Sequence, residues 1–281
     1  MKIRFWGTRG SIASPGPETI KYGGNTSCLE VRLANGKLII LDAGTGIRKL
    51  GIKLFQEPGP VKATFLITHA HWDHIEGFPY FQPAYVEGSK FSVIGCHRAS
   101  KKIESIFYNM MEGVYFPVLF EELKAEFDFK DFCKGEFDVG DAHITVLPTN
   151  HPGDTQAYKI RENNISIVYM TDNDPYSPIF QKISFSRMAE FCADVDLLVH
   201  DTMFTKEEWE MFRTWGHSSV DAALDLATKA GVKRFALFHH DPEHSDQKVD
   251  QMVRYSREFI KEKNCDIRCF GAQEGMEFEL P

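Results

Sequence analysis

The stretch "HAHWDH", residues 69 to 74, places His69, His71, Asp73 and His74 within six positions. Imidazole nitrogens and a carboxylate oxygen are donors that zinc, manganese and iron(II) all accept. As packing groups alone, four ionisable side chains this close would repel and desolvate one another. A shared cation explains them better. Alternate residues diverge, so the four cannot easily reach a single ion. Two pairs serving two adjacent divalent ions is the simpler geometry, and it calls for further donors downstream. "PTNHPGD" offers His151, "VYMTDND" offers Asp172, and "ALFHHDP" offers His239 or His240. Two adjacent ions lower the pKa of water and clamp an attacked centre as charge develops, so such a site suits hydrolysis.

Donors spread over 170 positions need a scaffold that gathers them. "KIRFW", "CLEVRL", "KLIILD", "ATFLIT" and "KFSVIG" read as short strands, rich in β-branched and aromatic residues and punctuated by Gly or Asn. "GTGIRKLGIKLF" has helical spacing, and a helical stretch is expected to begin at His97. Strands resume with "AHITVLPT", "QAYKIR" and "ISIVYMTD". Strands and helices then alternate: "VDLLVHD", helices from about Lys206 and after Ser218, "RFALFHH", a long helix through Phe259, and "DIRCF". Meanders followed by alternation predict two mixed sheets face to face with helices outside, a four-layer α/β arrangement. Each donor stretch falls just after a predicted strand, where α/β proteins assemble sites from loops. Because the donors come from both halves, residues 1–281 are expected to form a single domain.

Composition narrows the function. The chain is 43% hydrophobic and 26% charged, with 32 basic against 40 acidic residues and a net charge of −8. No Lys/Arg-rich block occurs, so the bulk charge does not attract polyanionic nucleic acid. No apolar run approaches the roughly 18–20 residues of a membrane span. "MKIRFWGTRGS" lacks the apolar segment and cleavage pattern of a signal peptide. Six scattered cysteines, Cys28, Cys96, Cys133, Cys192, Cys265 and Cys269, form no CxxC pair. They read as free thiols of a cytoplasmic protein, with Cys265 and Cys269 on a strand.

The ordered set resembles the metallo-β-lactamase superfamily: H-x-H-x-D-H, a His before a Pro-Gly turn, an Asp after an apolar strand, and a His after another strand. Upstream, "FWGTRGSIASPGP", "YGGNTSC" and "LDAGTGI" are similar to a broad bacterial metallo-hydrolase branch. The resemblance covers nearly the whole chain and implies an αββα sandwich. It also implies that His69, His71 and His151 bind one metal, that Asp73, His74 and His239 bind the second, and that Asp172 bridges them. His239 is preferred over His240 because it directly follows "FALF". Asp73 would also orient the nucleophile.

A second stretch points to phosphodiesters. "HDTM" (His200, Asp201, Thr202) and "GHSS" (His217) resemble motifs that phosphodiesterase branches place before their last metal ligand. There the second motif's histidine acts as general acid or phosphate contact, steered by the acid of the first. Here that acid is Asp201, one methylene shorter than the usual Glu. The bland alternative for His217 is a loop residue before a helix capped by Ser218 or Ser219. The tRNA 3′-processing ribonuclease that these motifs resemble carries a long RNA-gripping arm, and the 20 residues between His151 and Asp172 leave no room for it. A small phosphodiester or cyclic nucleotide is therefore the expected substrate.

The same fold also hosts diiron proteins, some of them oxygen-binding sensors that partner chemotaxis receptors. Iron(II) would accept this donor set, so a non-hydrolytic protein binding O2 and signalling to a chemoreceptor is the alternative. "YNMMEGVYFPVLF", residues 108–120, reads as packing, a lid over the metals or a homodimer surface, with Tyr115 and Phe116 as candidates for a pocket wall.

Overall fold

The computed structural model describes residues 1–96 and 102–281. The first sheet holds β1 (Lys2–Gly7), β2 (Cys28–Arg32), β3 (Leu38–Leu41), β4 (Lys62–Leu66), β5 (Lys90–Gly95) and β6 (Glu126–Asp131). The second holds β7 (Gly135–Val139), β8 (Ala142–Pro148), β9 (Gln156–Glu162), β10 (Ile165–Met170), β11 (Leu197–Asp201), β12 (Arg234–Phe238) and β13 (Arg268–Gly271). A last strand, β14 (Glu277–Glu279), returns to the first sheet. Each sheet has seven strands, in the orders β14-β1-β2-β3-β4-β5-β6 and β13-β12-β11-β10-β9-β8-β7. Antiparallel pairing links β14 through β3 and β10 through β7, and parallel pairing links the rest. This is the mixed two-sheet architecture expected.

Side-chain alternation builds the layers. On β10, Ile167 and Tyr169 enter the core between the sheets, whereas Val168 and Met170 face outward. On β12, Ala236 and Phe238 go inward, and Phe235 and Leu237 outward. The outward residues of the second sheet are covered by α4 (Phe185–Phe191), α6 (Val220–Ala230) and α7 (Asp246–Glu262). On α7, Val249, Met252, Val253, Ser256 and Ile260 form the buried stripe of an amphipathic helix, and Ser245 caps its start. The outer face of the first sheet is covered by α1 (Ile47–Gln56) and α3 (Ile103–Met110). Two short helices, α2 (Trp72–Ile75) and α5 (Lys206–Phe212), lie in the loops that carry the site. Among the described residues, no helix is long and apolar enough to cross a membrane.

The structure departs from the sequence reading in three places, and one further expectation falls outside the described residues. The helical start expected at His97 lies outside the described residues, and α3 begins at Ile103. β6 and β7 were not anticipated, although Phe127 and Phe129 alternate with charged residues on β6. Cys96 and Cys133 are not free thiols but a disulfide, with their Cα atoms 4.6 Å apart. The parallel register that sets Gly95 beside Asp131 brings these cysteines together across 37 positions of sequence. Cys269 lies on β13, but Cys265 precedes it.

Candidate metal centre

His69 and His71 follow β4, and His151 follows β8. Nε2 of His69 lies 2.9 Å from Nδ1 of His71, and Nε2 of His151 lies 3.2 Å from that same atom. Around a tetrahedral ion with bonds near 2.0–2.1 Å, neighbouring donors stand about 3.3 Å apart. His71 stands close to that spacing from each of its two partners. His69 Nδ1 donates to Thr68 Oγ1 at 3.1 Å, and His151 Nδ1 donates to the Gly216 carbonyl at 2.9 Å. Both rings are thereby fixed with Nε2 turned to the centre. Gly216 has φ +80°, and a Cβ there would fall 2.7 Å from Pro152 Cδ. Only glycine lets that carbonyl approach His151 so closely.

Asp73, His74, Asp172 and His239 form a second, fully buried cluster. Nε2 of His74 is 3.1 Å from Oδ2 of both Asp73 and Asp172. Nε2 of His239 is 3.1 Å from Asp73 Oδ2 and 3.3 Å from Asp172 Oδ2. The other oxygen of Asp172 faces the trio, 3.7 Å from Nε2 of both His69 and His151. One carboxylate thus presents an oxygen to each cluster. The backbone is bent to achieve this: Ser11, Asp42, Asp172 and His239 all take φ between 50° and 59°. Such conformations cost roughly 1–3 kcal/mol each and persist where surrounding structure enforces them.

Electrostatics test whether a cation fits. Burial keeps the trio neutral, with His69 well below the usual histidine range, His71 below it, and His151 at about 3. Three lone pairs therefore converge without protons to share. In the second cluster, burial alone would raise the carboxyls. His74 and His239 overcome that for Asp73, and His239, His74 and His69 do so for Asp172, so both lie well below the usual range. Burial would likewise lower His74, yet Asp73, Asp172 and Asp42 pull it well above its usual value. Its buried Nε2 makes no well-formed hydrogen bond. An orphan nitrogen between two carboxylates, beside three neutral imidazoles, fits two divalent cations.

His217 stands over this centre. Its ring stacks on His239 with centroids 5.1 Å apart and leans on His151 at 4.8 Å. Nδ1 donates to Asp201 Oδ2 at 2.8 Å, so the shorter carboxylate reaches its partner. Asp201 is itself held by the backbone N–H groups of Asn173 and Met203. Burial disfavours charge on His217, but Asp201, with help from Asp172 and Asp73, overrides it and raises the imidazole to about 9. Ser219, not Ser218, caps α6.

Residues 37–240 match the family model for the beta-lactamase superfamily domain. The chain belongs to this family. Among relatives, the Ribonuclease Z of Halobacterium salinarum (strain R1) is 23% identical over an alignment of 329 positions that covers 100% of this chain and 98% of the relative. Among solved structures, the metallo-beta-lactamase fold protein YhfI from Bacillus subtilis superposes with a TM-score of 0.72 at 19% identity, covering 99% of this chain and 98% of that one. A diphosphatase from the PhnP family gives 0.68 at 18% identity, covering 100% and 98%. These likenesses establish the αββα fold of the beta-lactamase superfamily.

Other residues fall into place around this superfamily centre. His240 turns away, donating from Nε2 to the Ala272 carbonyl at 3.0 Å, with its ring against Tyr22. His200 is buried, donating to the Asp201 carbonyl and accepting from Asn173 Nδ2 at 3.1 Å. Tyr115 is exposed, and Phe116 packs edge-on against Tyr80, while Phe107, Met111 and Phe120 join the outer core. Within 108–120, Met110, Met111 and Phe120 are buried as packing groups, whereas Tyr108, Val114, Tyr115 and Leu119 are exposed. The sequence reading missed Asp42, which accepts from His74 Nδ1 at 2.7 Å, Thr68 N at 2.7 Å and Tyr169 OH at 3.0 Å. Its signal was present: an acid closing the apolar run "LIIL" before a glycine-rich turn. It also missed buried Arg9, which donates to the carbonyls of Gly23, Asp241 and His244 and so ties the His239 loop to the N-terminal segment.

Proposed function

We propose that this chain is a metal-dependent hydrolase of small phosphodiesters, with residues 1–281 acting as one unit. His69, His71 and His151 would hold one ion, and Asp73, His74 and His239 the other. Asp172 would bridge them. Zinc, manganese and iron(II) all suit these donors. The ions would supply an activated water and neutralise charge developing on the phosphoryl oxygens. The protein's own groups supply the rest. Asp73, fixed by the Ser11 N–H at 2.9 Å, is placed to orient the attacking water. His217, kept protonated by Asp201, offers a proton from Nε2 to the leaving oxygen.

The observation that carries this reading is the His217–Asp201 pair poised over the two donor clusters. A protonated imidazole there supplies what a departing alkoxide needs, and this favours hydrolysis over O2 binding with signalling through a chemoreceptor. Names of relatives agree in kind, since both Ribonuclease Z and a diphosphatase act at phosphorus–oxygen bonds. The substrate expected here is smaller than RNA. His151 and Asp172 are linked only by the β9–β10 hairpin, which leaves no arm to grip a polymer.

The test is hydrolysis of bis-p-nitrophenyl phosphate by zinc- or manganese-loaded protein. Cleavage is expected, and His217→Ala should slow turnover about 10²–10⁴-fold while retaining both metals. Wild-type activity in that variant would remove His217 from the mechanism. Inactive wild-type protein that, loaded anaerobically with iron(II), gives a persistent visible band in air would replace hydrolysis with oxygen binding.

A further inference from the structure

The four tryptophans of the chain occupy two kinds of place. Trp6 is buried and donates to Glu30 at 2.7 Å, and half-buried Trp209 donates to Asp174 at 3.1 Å. Trp72 and Trp215 are instead 62% and 53% exposed. Trp72 is flanked by two candidate ligands, and Trp215 lies two residues before His217. Trp72 lies between His71 and Asp73 on α2. Trp215 precedes Gly216, whose carbonyl accepts from His151 Nδ1, and His151 Nε2 lies 3.2 Å from His71 Nδ1. A short chain of contacts across the trio therefore links the residue after Trp215 to the residue before Trp72, two segments from opposite halves of the protein. Trp215 is backed by Phe212 at 4.8 Å, and Phe212 by Phe204 at 5.3 Å. That makes it the outer end of a packed aromatic shelf.

Among the described residues, Arg9, Lys182 and Arg213 are already engaged. The guanidinium of Arg9 is buried on carbonyls. The Lys182 ammonium donates to the His151 carbonyl at 2.6 Å and to that of Gly153. Arg213 pairs with Glu210 at 3.6 Å and covers the Trp209 ring. A sugar–phosphate strand is held by free Lys and Arg, and these three are not free. Base stacking needs no charge, only an exposed aromatic face beside the reacting group.

We propose that Trp72 and Trp215 are the substrate-selecting residues of this site, receiving a nucleobase by stacking, so that the diester it takes carries a nucleoside. The proposal rests on the phosphodiesterase reading above and names its substrate class. The metals and His217 would act at the phosphoryl group, while the indoles hold the planar group attached to it.

Two measurements test it. Metal-loaded protein is assayed on thymidine 5′-(p-nitrophenyl phosphate) and on methyl p-nitrophenyl phosphate, which share a leaving group and differ in the nucleoside. The KM for the thymidine diester should be roughly tenfold lower, and Trp72→Ala or Trp215→Ala should drive that ratio toward one. Phe at either position should restore most of it. Equal KM values in the wild type, or an unchanged ratio in both Ala variants, overturns the stacking role and leaves the phosphodiesterase reading standing. Separately, thymidine 5′-monophosphate should quench the protein's tryptophan fluorescence, whereas ribose 5-phosphate should not. Quenching without cleavage of either diester keeps the nucleobase site and discards the phosphodiesterase reading. No quenching discards the site itself.

Discussion

The Asp42 carboxylate accepts a 2.7 Å hydrogen bond from Nδ1 of His74, and neither side chain has exposed surface. Thr68 and Tyr169 occupy the carboxylate's remaining lone pairs, so the ring cannot turn away from Asp73 and Asp172. Asp42→Asn keeps the volume but removes the charge and one acceptor oxygen. Affinity for the second ion should fall about 10–100-fold. Metal content after dialysis against graded chelator checks this, and unchanged retention would strip Asp42 of its supporting role.

Removing a donor should cost stability as well as metal. The ions would cross-link loops from both halves, and whatever binds only the folded state stabilises it. His71→Ala should lose the ion of the trio, and Asp172→Ala should lose both. A stabilisation of roughly 2.7 kcal/mol at a hundredfold excess over Kd corresponds to a Tm drop of about 5–10 °C. Metal stoichiometry and melting curves on the same samples decide the matter. Full occupancy in either variant contradicts the assignment.

Metal loading should release protons. Without a cation, the carboxylates hold a proton on His74 well above the usual histidine range, and a metal must displace it. Apparent affinity should therefore rise with pH across the neutral range. Titrating the metal-free protein with zinc in a weakly buffered indicator solution measures this directly; no acidification on binding would count against His74 as a ligand.

The His217–Asp201 pair carries a pH signature with a definite sign. Its histidine is raised in the folded state to about 9, from 6.5. The stability it contributes is complete below about pH 6.5 and lost as pH rises through about 9. Asp201→Asn should destabilise the protein most at neutral and lower pH, with the gap to wild type closing toward pH 10. In turnover, the same variant should move the alkaline limb of the rate profile to lower pH, since a less basic imidazole gives up its proton sooner. Coincident limbs in the two proteins would separate Asp201 from proton delivery.

Much of this centre was legible because its chemistry is local. His69, His71, Asp73 and His74 sit within one loop, and each later donor follows a strand whose apolar run announces it. What stayed hidden depends on register between distant segments. The Cys96–Cys133 bond exists because β5 and β6 pair in parallel, and that pairing crosses the aromatic insert. Arg9 resembles any surface arginine until β1 delivers it beneath the His244 carbonyl. The choice between His239 and His240 rested on resemblance, and the geometry that distinguishes them is the left-handed backbone at His239, with φ 58°.

The two clusters draw differently on the length of the chain. His69, His71 and His151 all lie in the first 151 residues, whereas the second cluster waits for His239. The three histidines all precede β9, yet the carbonyl that fixes the His151 ring belongs to Gly216, after β11. The four-donor cluster needs the pairing of β12 with β11, which sets His239 beside the other three donors. Both clusters therefore draw on segments after β11, one for the carbonyl that orients a donor and the other for a donor itself.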